Sequence, residues 1–197
     1  MAQNQRERLL TALSECLYER GYEKTTVAAI GKRAAVSKSD FYKHFESKQA
    51  CFLAAYEEVI ERIRRSLLSG CVAPGQWQDR VLGALASLLD DLAAKPAWAR
   101  LALVEGMRAG RGVFDLHQAA LHSFVPYLRD GAPAPPEGPR PPAATDEAVV
   151  GGVAALLTRR VLAGEIERLR DFLPEIGEFA LTPYLGAAEA RRIISDL

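Results

Sequence analysis

Residues 25–48 decide the fold, and they read TTVAAIGKRAAVSKSDFYKHFESK. Thr25 and Thr26 precede a short apolar-periodic segment, and a hydroxyl in that position can accept a hydrogen bond from a free N–H group in the first turn of a helix. Ser37 can cap a second short helix in the same way, with Asp40 three residues later in the acidic position of a capping box. Two short helices joined by a turn of three to four residues form a helix-turn-helix.

Apolar residues in this stretch recur at helical spacing. Val27, Ile30 and Ala34 predict the inward face of the first short helix, while Phe41 and Phe45 lie four residues apart and share the buried face of the second. A preceding helix is predicted over residues 5–20. Gly21 is expected to end it, because glycine readily adopts the left-handed conformation that follows a last helical turn.

The rest of the chain predicts further helices and no strands. Helical spacing marks residues 48–69, 77–94, 97–107, 113–129, 146–163, 171–184 and 187–194. Ser47 is expected to cap the first of these helices. Thr145 or Asp146 is expected to cap the helix over 146–163. The segment GMRAGRG at 106–112 predicts an inter-helix turn.

Residues 131–143, GAPAPPEGPRPPA, hold six prolines among thirteen residues and predict a connector. The alternative for this segment is recognition by a protein partner.

The composition is that of a soluble globular protein, with 49% hydrophobic and 25% charged residues. The net charge of zero hides an asymmetry, because residues 1–50 carry nine Lys/Arg and six Asp/Glu, and the remainder carries 16 and 19. A basic head on an acidic body suggests nucleic acid at one end, although an excess of three charges also arises by chance. Three distant cysteines without a CxxC motif indicate a reducing compartment and buried thiols at Cys16 and Cys51. With no signal peptide and no membrane-spanning stretch, we expect a cytoplasmic protein that does not insert into a membrane.

Motifs for catalysis, metals and cofactors are missing from the sequence. It contains no HExxH, GxSxG, GxGxxG or Walker loop. His117 and His122 are five residues apart, about 140° around a helix, and cannot easily share one metal ion. Asp90 and Asp91 are adjacent and face different directions. We therefore expect no catalytic residues, no metal and no cofactor, and an enzyme is disfavoured.

The residues of the helix-turn-helix resemble a known family, the TetR-type regulators. The family pattern has a Thr, an Ile-Ala-like pair, an Ala-Gly-Val-Ser turn, a Tyr-x-His-Phe and a Ser-Lys. This chain shows the corresponding residues in the same order and spacing, at Thr26, Ile30, Ala35-Val36-Ser37, Tyr42-Lys43-His44-Phe45 and Ser47-Lys48. The resemblance implies an all-α protein, with a three-helix DNA-binding domain over 1–48 and a helical ligand-binding and dimerisation domain over 49–197. It also implies a transcriptional regulator, most often a repressor.

The predicted DNA contacts follow from the motif. The first turn of a recognition helix reads base edges in the major groove, while hydroxyls, cations and helix N-termini contact phosphates. The predicted DNA-binding residues are Thr26, Ser37, Lys38, Ser39, Asp40, Tyr42, Lys43, His44 and Lys48.

Two positions of the motif, 35 and 40, depart from the family pattern. Ala35 stands where the family usually has Gly, and we expect it to be tolerated if its backbone torsions are helical. Asp40 would be repelled by phosphates, so it either caps its own helix, which we favour, or accepts a hydrogen bond from cytosine N4.

The last two long helices predict a homodimer interface. Their apolar surface exceeds what one partner face needs, and two-fold homodimers are the commonest oligomers. Gly151 and Gly152 allow a neighbouring helix to approach closely. The predicted interface residues are Val149, Val153, Leu156, Leu157, Phe172, Ile176 and Phe179. The alternative is an entirely intrachain core.

Residues 75–129 predict a pocket for a small, largely apolar effector, because large apolar side chains fall on more than one helix face. The predicted pocket residues are Trp98, Leu101, Glu105, Phe114, His117 and Leu121, with Trp77, Leu85, Leu89, Met107 and Phe124 as further apolar candidates and Arg108 and His122 as further polar ones. The alternative is that these same residues only fill a core.

Two function classes therefore remain. One is a ligand-controlled regulator that binds double-stranded operator DNA as a homodimer. The other is a helical small-molecule enzyme or binding protein with a chance amino-terminal motif.

Overall fold

The computed structural model describes residues 4–71, 75–107, 111–134 and 141–197, and only the backbone of residues 107, 111 and 112. Every regular element in these ranges is helical, as the sequence predicted. The α-helices are α1 Gln5–Lys24, α2 Val27–Ala34, α3 Lys38–His44, α4 Lys48–Gly70, α5 Trp77–Ala94, α6 Pro96–Leu103, α7 Arg111–Arg129, α8 Ala143–Leu162, α9 Leu173–Leu185 and α10 Ala187–Ser195. Two 3₁₀ segments, Glu105–Met107 and Ile166–Phe172, precede α7 and α9.

Local capping sets the amino-terminal helices. The side chains of Thr26, Ser37 and Ser47 each accept a hydrogen bond from the backbone N–H three residues later, at 3.2, 3.0 and 3.0 Å. All three caps were predicted, and each stabilises its helix by about 1 kcal/mol. Gly21 interrupts α1 with φ 74° and ψ 171°, so the first helical run ends where the sequence predicted, and one further turn continues to Lys24.

Ala35 ends α2 in the left-handed conformation, with φ 53° and ψ 46°. The condition under which we expected Ala35 to be tolerated, helical torsions, is therefore not met. The turn between α2 and α3 requires a positive φ here, and its backbone N–H closes the helix on the carbonyls of Gly31 and Lys32. An L-residue in this conformation costs about 1–2 kcal/mol, because its Cβ crowds the following carbonyl oxygen.

Two predicted helix boundaries in the body are wrong. The helix predicted over 97–107 ends at Leu103 and gives way to the 3₁₀ segment Glu105–Met107. Helix α8 begins at Ala143 after Pro142, so neither Thr145 nor Asp146 is its cap. Asp146 is instead buried in the first turn, where it accepts a hydrogen bond from the Tyr184 hydroxyl at 2.5 Å. A tertiary partner thus determines the role of a residue that local pattern assigned to a cap.

Two predicted connectors lie partly outside the described residues. They are the turn at 106–112 and the proline-rich segment at 131–143, of which 108–110 and 135–140 are not described. Arg108 lies in the first of these gaps.

Helix α4 joins the amino-terminal helices to the body. It packs against α1 on one side and against α5, α6 and α7 on the other, within one continuous apolar core. The division predicted at residue 48 stays a prediction, because this core crosses it. Cys16 and Cys51 are buried as predicted, and burial raises the pKa of the Cys51 thiol to about 12. Among the residues that the structure describes, none of the helices is both long and apolar enough to cross a membrane.

Replacing Ala35 by Gly should stabilise the protein. Relief of the left-handed strain is worth about 1–2 kcal/mol, and the greater entropy of glycine in the unfolded chain offsets about 0.4–1 kcal/mol of it. We expect the free energy of unfolding in urea to rise by about 0.5–1 kcal/mol. Ala119→Gly, at an exposed position within α7, is the matched control and should lower it by about 1 kcal/mol. A loss of stability in Ala35→Gly would contradict the role given to this torsion.

Candidate functional site

The recognition helix of the predicted motif is α3, and the structure gives it one buried and one exposed face. Phe41 and Phe45 are 0% and 6% exposed and share its buried face, as predicted. Lys38, Ser39 and Tyr42 face solvent on the other side, with Tyr42 48% exposed. Seven residues cannot hold a helix alone in water, so the two buried phenylalanines fix the direction in which the exposed face points.

Asp40 is engaged by its own helix. Its carboxylate accepts hydrogen bonds from the Ser37 hydroxyl and from Lys43 Nζ, both at 2.7 Å. Lys43 and then Ser37, through these hydrogen bonds, lower the pKa of Asp40 below its usual value. The arrangement agrees with the capping interpretation that we favour for Asp40. It also holds the ammonium of Lys43 beside the first turn of α3.

The remaining predicted DNA contacts lie around α3. His44 is exposed, and its Nε2 lies 3.2 Å from the Gln5 side-chain oxygen at the start of α1. Thr26 is exposed at the amino terminus of α2, with its hydroxyl oxygen occupied by the helix cap. Thr26, Ser37, Lys38, Ser39, Tyr42, Lys43 and His44 are therefore exposed residues of one small unit formed by α2 and α3.

Lys48 has a structural task that sequence reasoning missed. Its Nζ donates hydrogen bonds to the carbonyl oxygens of Tyr22 and Thr25, at 2.8 and 3.0 Å, and lies 3.9 Å from the centre of the Tyr22 ring. An ammonium has three donors, so two are used to hold the end of α1 and one is left for a phosphate. No local signal pointed to these carbonyls, because they lie more than twenty residues away in the chain.

Arg33 was also missed. It pairs with Glu15 and Glu19 of α1, and this contact lowers the pKa of Glu19. The pairs tie α2 to α1, and they leave Arg33 neutralised rather than free for nucleic acid.

A cavity of about 140 Å³ lies in the body, between α4, α5, α7 and α8. Its walls are almost entirely apolar side chains, with contributions from Ile60, Ile63, Leu67, Trp77, Val81, Ala84, Leu85, Leu88, Leu92, Leu103, Ala120, Leu121, Phe124, Tyr127, Val149, Val150, Val153, Ala154 and Leu157. Walls of this kind favour apolar molecules, and Arg80 adds one charged side chain to the lining. The cavity overlaps residues 75–129, where sequence reasoning placed a pocket, but the contributions of α4 and α8 were not anticipated.

One polar pair lies in the cavity wall. A hydrogen bond of 2.7 Å joins the Tyr56 hydroxyl to Nδ1 of His117, and both residues are buried. Burial raises the pKa of Tyr56 above its usual range and lowers the pKa of His117. Both side chains are therefore neutral near pH 7, and they supply a weakly polar spot in an apolar wall.

Only two of the six predicted pocket residues, His117 and Leu121, line this cavity. Leu101 is fully buried in the core, and Phe114 is 46% exposed. Trp98 lies under the cations of Arg62 and Lys95, at 4.5 and 3.9 Å from its ring centre. Glu105 is buried against α1. Helical periodicity does not distinguish these positions, because it reports burial and not which helix lies opposite.

Three of the predicted interface residues, Val149, Leu157 and Ile176, are at most 3% exposed and belong to the core of the chain itself. Their assignment to an interface is therefore wrong for this structure. Val153, Leu156 and Phe172 are partly buried against that core.

The outer face of α8 and α9 retains exposed apolar surface. Phe179 is 41% exposed, and Leu162, which sequence reasoning missed, is 53% exposed. A Cβ at Gly152 would approach the Phe179 ring to 2.4 Å, so Gly152 serves a contact within the chain, whereas a Cβ at Gly151 would meet nothing.

A family model described as "Bacterial regulatory proteins, tetR family" matches residues 9–55. The chain is 31% identical to an uncharacterized HTH-type transcriptional regulator in the lacX 3'region of Lactococcus lactis subsp. lactis. This match extends over 70 residues and covers 36% of each chain. The chain is also 42% identical over 65 residues to the HTH-type transcriptional activator FasR of Mycolicibacterium smegmatis, covering 33% of this chain and 28% of FasR. The chain thus matches only about a third of the length of these curated relatives.

Solved structures share the fold over nearly the whole chain. The fatty acid degradation regulator FadR from Bacillus halodurans superposes with a TM-score of 0.77 at 16% identity, covering 92% of this chain and 96% of its own. FadR from Bacillus subtilis, solved in complex with stearoyl-CoA, gives a TM-score of 0.74 at 15% identity, covering 91% and 97%. At these identities the likeness is one of fold.

The stability of the protein should depend on the protonation of His117. Burial lowers the pKa of His117 in the folded state, whereas the unfolded chain has the ordinary value of about 6.5. Below this value the unfolded state takes up the proton first, so stability is fully present above about pH 6.5 and is lost as the pH falls through the lower folded pKa. Urea unfolding followed down this range should show the loss in the native protein and a smaller loss in His117→Gln. His122→Gln is the control, because the His122 side chain is 73% exposed. An equal loss in all three proteins would remove His117 as its source.

Proposed function

We propose that this protein, which belongs through its residues 9–55 to the tetR family of bacterial regulatory proteins, is a dimeric transcription regulator that a small apolar ligand releases from a palindromic operator. The exposed first turn of α3, held on a family-matched helix-turn-helix, is the observation that carries the proposal. The family match also supports the interpretation that the chain is not an enzyme. We place its action as repression, although one relative is named an activator, so the sign of regulation is part of the test.

The proposed DNA contacts follow from exposure and donor chemistry. Lys38 and Ser39 reach base edges from the first turn of α3, and Asp40 fixes that turn from within. Phosphate oxygens are contacted by hydroxyls and cations. We assign this role to Thr26, Ser37, Tyr42, Lys43, His44 and Lys48. The remaining N–H donor of Lys48 gives it a second role, because the same side chain holds the end of α1.

A homodimer through the outer face of α8 and α9 brings two recognition helices to one operator. One recognition helix reads few base pairs, so two half-sites are needed for useful specificity. Exposed apolar side chains at Leu162 and Phe179, beside the open side of Gly151, support this face as the interface. We propose that Leu156 and Phe172, which are partly buried against the core, border it, whereas Val153 lines the cavity.

The proposed effector occupies the cavity between α4, α5, α7 and α8. A cavity of roughly 150 Å³ with apolar walls holds a molecule of the size of benzene, so an effector of that size fits this cavity without rearrangement and a larger one needs its walls to move. The Bacillus subtilis FadR structure contains stearoyl-CoA, and an acyl chain is one apolar group of the required chemistry.

Helix α4 is the proposed transmitter. It carries Lys48 at its start, and Tyr56, Ile60 and Ile63 from the same helix line the cavity. A ligand releases DNA only through unequal affinity for two states of the protein, and a hundredfold loss of DNA affinity requires about 2.7 kcal/mol of coupling.

Selection of bound duplexes from random DNA should yield a two-fold symmetric site. Lys48→Ala and Tyr42→Phe should weaken binding to every sequence, because they remove phosphate contacts, and Lys48→Ala should lower the salt slope by about one. Lys38→Ala and Ser39→Ala should instead change the preferred bases. Fluorescence anisotropy titrations at several salt concentrations measure both effects.

Arg65→Ala is the matched control, since it removes an exposed cation from α4 beyond the helix-turn-helix. Its salt slope should equal that of the native protein. Unchanged affinity in both Lys48→Ala and Tyr42→Phe would refute the contact model. A reporter gene behind the selected site then distinguishes repression from activation.

Charge on the outer face of α8 and α9 should break the dimer. Burial of an unpaired carboxylate is strongly unfavourable, so the double variant Leu162→Glu, Phe179→Glu should be monomeric by light scattering at micromolar concentration. The native protein should be dimeric. Leu68→Glu, at a residue that is 44% exposed on α4, is the control and should remain dimeric. A native monomer, or a dimer that survives the double variant, would exclude this interface.

Occupation of the cavity should stabilise the protein and lower its DNA affinity. We expect members of a panel of alkylbenzenes and straight-chain fatty acids to raise the thermal midpoint, because a ligand that binds only the folded state adds RT ln(1 + [L]/Kd). Ala120→Leu, which fills the cavity, should abolish this effect, whereas Ala119→Leu on the exposed side of α7 should not. If every stabilising compound leaves DNA affinity unchanged, the effector mechanism fails.

A further inference from the structure

Glu105 is a buried carboxylate of the body that contacts the end of α1, just before the helix-turn-helix. It is 2% exposed, its Oε2 accepts a hydrogen bond from the backbone N–H of Tyr22 at 3.2 Å, and its Oε1 pairs with Nε of Arg100 at 3.2 Å. The bond to Tyr22 joins residues 83 positions apart. A buried carboxylate is retained only with such partners, because its desolvation is otherwise costly.

The N–H of Tyr22 is available because α1 is interrupted one residue earlier. Gly21 has φ 74° and ψ 171°, which turns the next N–H away from the helical ladder. A Cβ at this position would lie 3.9 Å from Oε1 of Glu105, an ordinary van der Waals distance, so it is the positive φ and not lack of space that favours glycine here. The interruption of α1 therefore frees the backbone N–H to which Glu105 binds.

The same peptide segment is held from its other side by α4. Tyr22 donates its N–H to Glu105 and accepts a hydrogen bond through its carbonyl from Lys48 Nζ at 2.8 Å. The Thr25 hydroxyl donates to the Gly21 carbonyl at 2.8 Å and closes the segment on itself. Glu105 of the body and Lys48 of α4 thus hold the same peptide segment, which leads directly into α2.

The residue after Glu105 contacts the wall of the cavity. A Cβ at Gly106 would lie 2.6 Å from a ring carbon of Tyr56 and 3.3 Å from its hydroxyl. Tyr56 and His117, joined at 2.7 Å, both line the cavity. The 3₁₀ segment Glu105–Met107 therefore contacts the cavity wall through Gly106 and the end of α1 through Glu105.

We propose that Glu105 is a positioning residue, whose hydrogen bond to the Tyr22 amide sets the orientation of the helix-turn-helix according to the position of Tyr56 in the cavity wall. An occupant of the cavity that displaces Tyr56 moves Gly106 and, with it, the carboxylate. The inference rests on the proposed function for its consequence at the operator. The mechanical link itself is independent of DNA.

The test replaces the unidentified effector with a substitution. Gly106→Ala pushes the 3₁₀ segment away from Tyr56, because its Cβ has no room in the present position. Gly177→Ala is the matched control, since its Cβ would come equally close to core side chains, at 2.7 Å from Leu82 and 2.9 Å from Ile194, but far from Glu105 in the chain. Hydrogen exchange at the Tyr22 amide and affinity for the selected operator duplex are measured in both.

We expect Gly106→Ala to accelerate exchange of the Tyr22 amide about tenfold and to lower operator affinity about tenfold, within the usual range of allosteric coupling. Gly177→Ala should change neither, even at the same thermal midpoint. In a Glu105→Ala background the two readouts should already be shifted, and Gly106→Ala should add nothing further. Glu105→Gln keeps an acceptor for the Tyr22 N–H without the charge, so it should show smaller shifts and serves if Glu105→Ala does not fold.

The outcomes separate this inference from the function on which it rests. Unchanged Tyr22 exchange in Gly106→Ala, or equal changes in Gly177→Ala, would overturn the link through Glu105. Additive effects of Glu105→Ala and Gly106→Ala on both readouts would overturn it as well. If Tyr22 exchange is accelerated in Gly106→Ala but not in Gly177→Ala, and the native protein binds no duplex, the link is supported and the proposed function is refuted.

Discussion

Helix α4 has to bury side chains against two partners at once, and the architecture follows from this constraint. Cys51 and Phe52 lie in the core on the side of α1, while further along the helix Val59 is buried too and Ile63 lines the cavity. Because protein interiors are close-packed and resist continuous deformation, a rigid helix shared by two packing regions transmits displacement between them. The helix-turn-helix is therefore not attached through a flexible linker, and its orientation depends on packing throughout the described part of the chain.

Polar groups inside this apolar core determine which arrangement is adopted. Glu105, His117 and Asp146 are buried, and each has a partner on a different element. A buried polar group without a partner costs about 1–3 kcal/mol, so these contacts penalise arrangements that apolar packing alone would tolerate. Two of them, His117 in the cavity wall and Glu105 against α1, belong to the link that we propose between the cavity and the amino-terminal helices.

Charges on the surface of the helix-turn-helix are also partly paired within the chain. Asp40 and Lys43 neutralise each other across the first turns of α3, and Arg33 is neutralised by α1. Two of the five cations in residues 25–48 are therefore already paired. We expect the exposed donors of Lys38, Ser39 and Tyr42 to carry more of the proposed recognition than the small net charge suggests, since hydrogen bonds to bases specify sequence while charge mainly adds affinity.

The sequence by itself determined the features that depend on neighbours in the chain. The caps at Thr26, Ser37 and Ser47, the interruption at Gly21 and the bounds of α5 were predictable, because capping and helical periodicity act over a few residues. The family resemblance came from the same local spacing.

Only the tertiary structure decided where long-range partners meet. Local pattern indicated that Leu101, Leu157 and Ile176 would be apolar contacts, but not which helix would cover them. It did not indicate that Lys48 binds the end of α1, or that Glu105 binds the Tyr22 amide and does not line the cavity. These outcomes depend on the relative placement of helices, and burial at helical spacing is the same whichever partner supplies it.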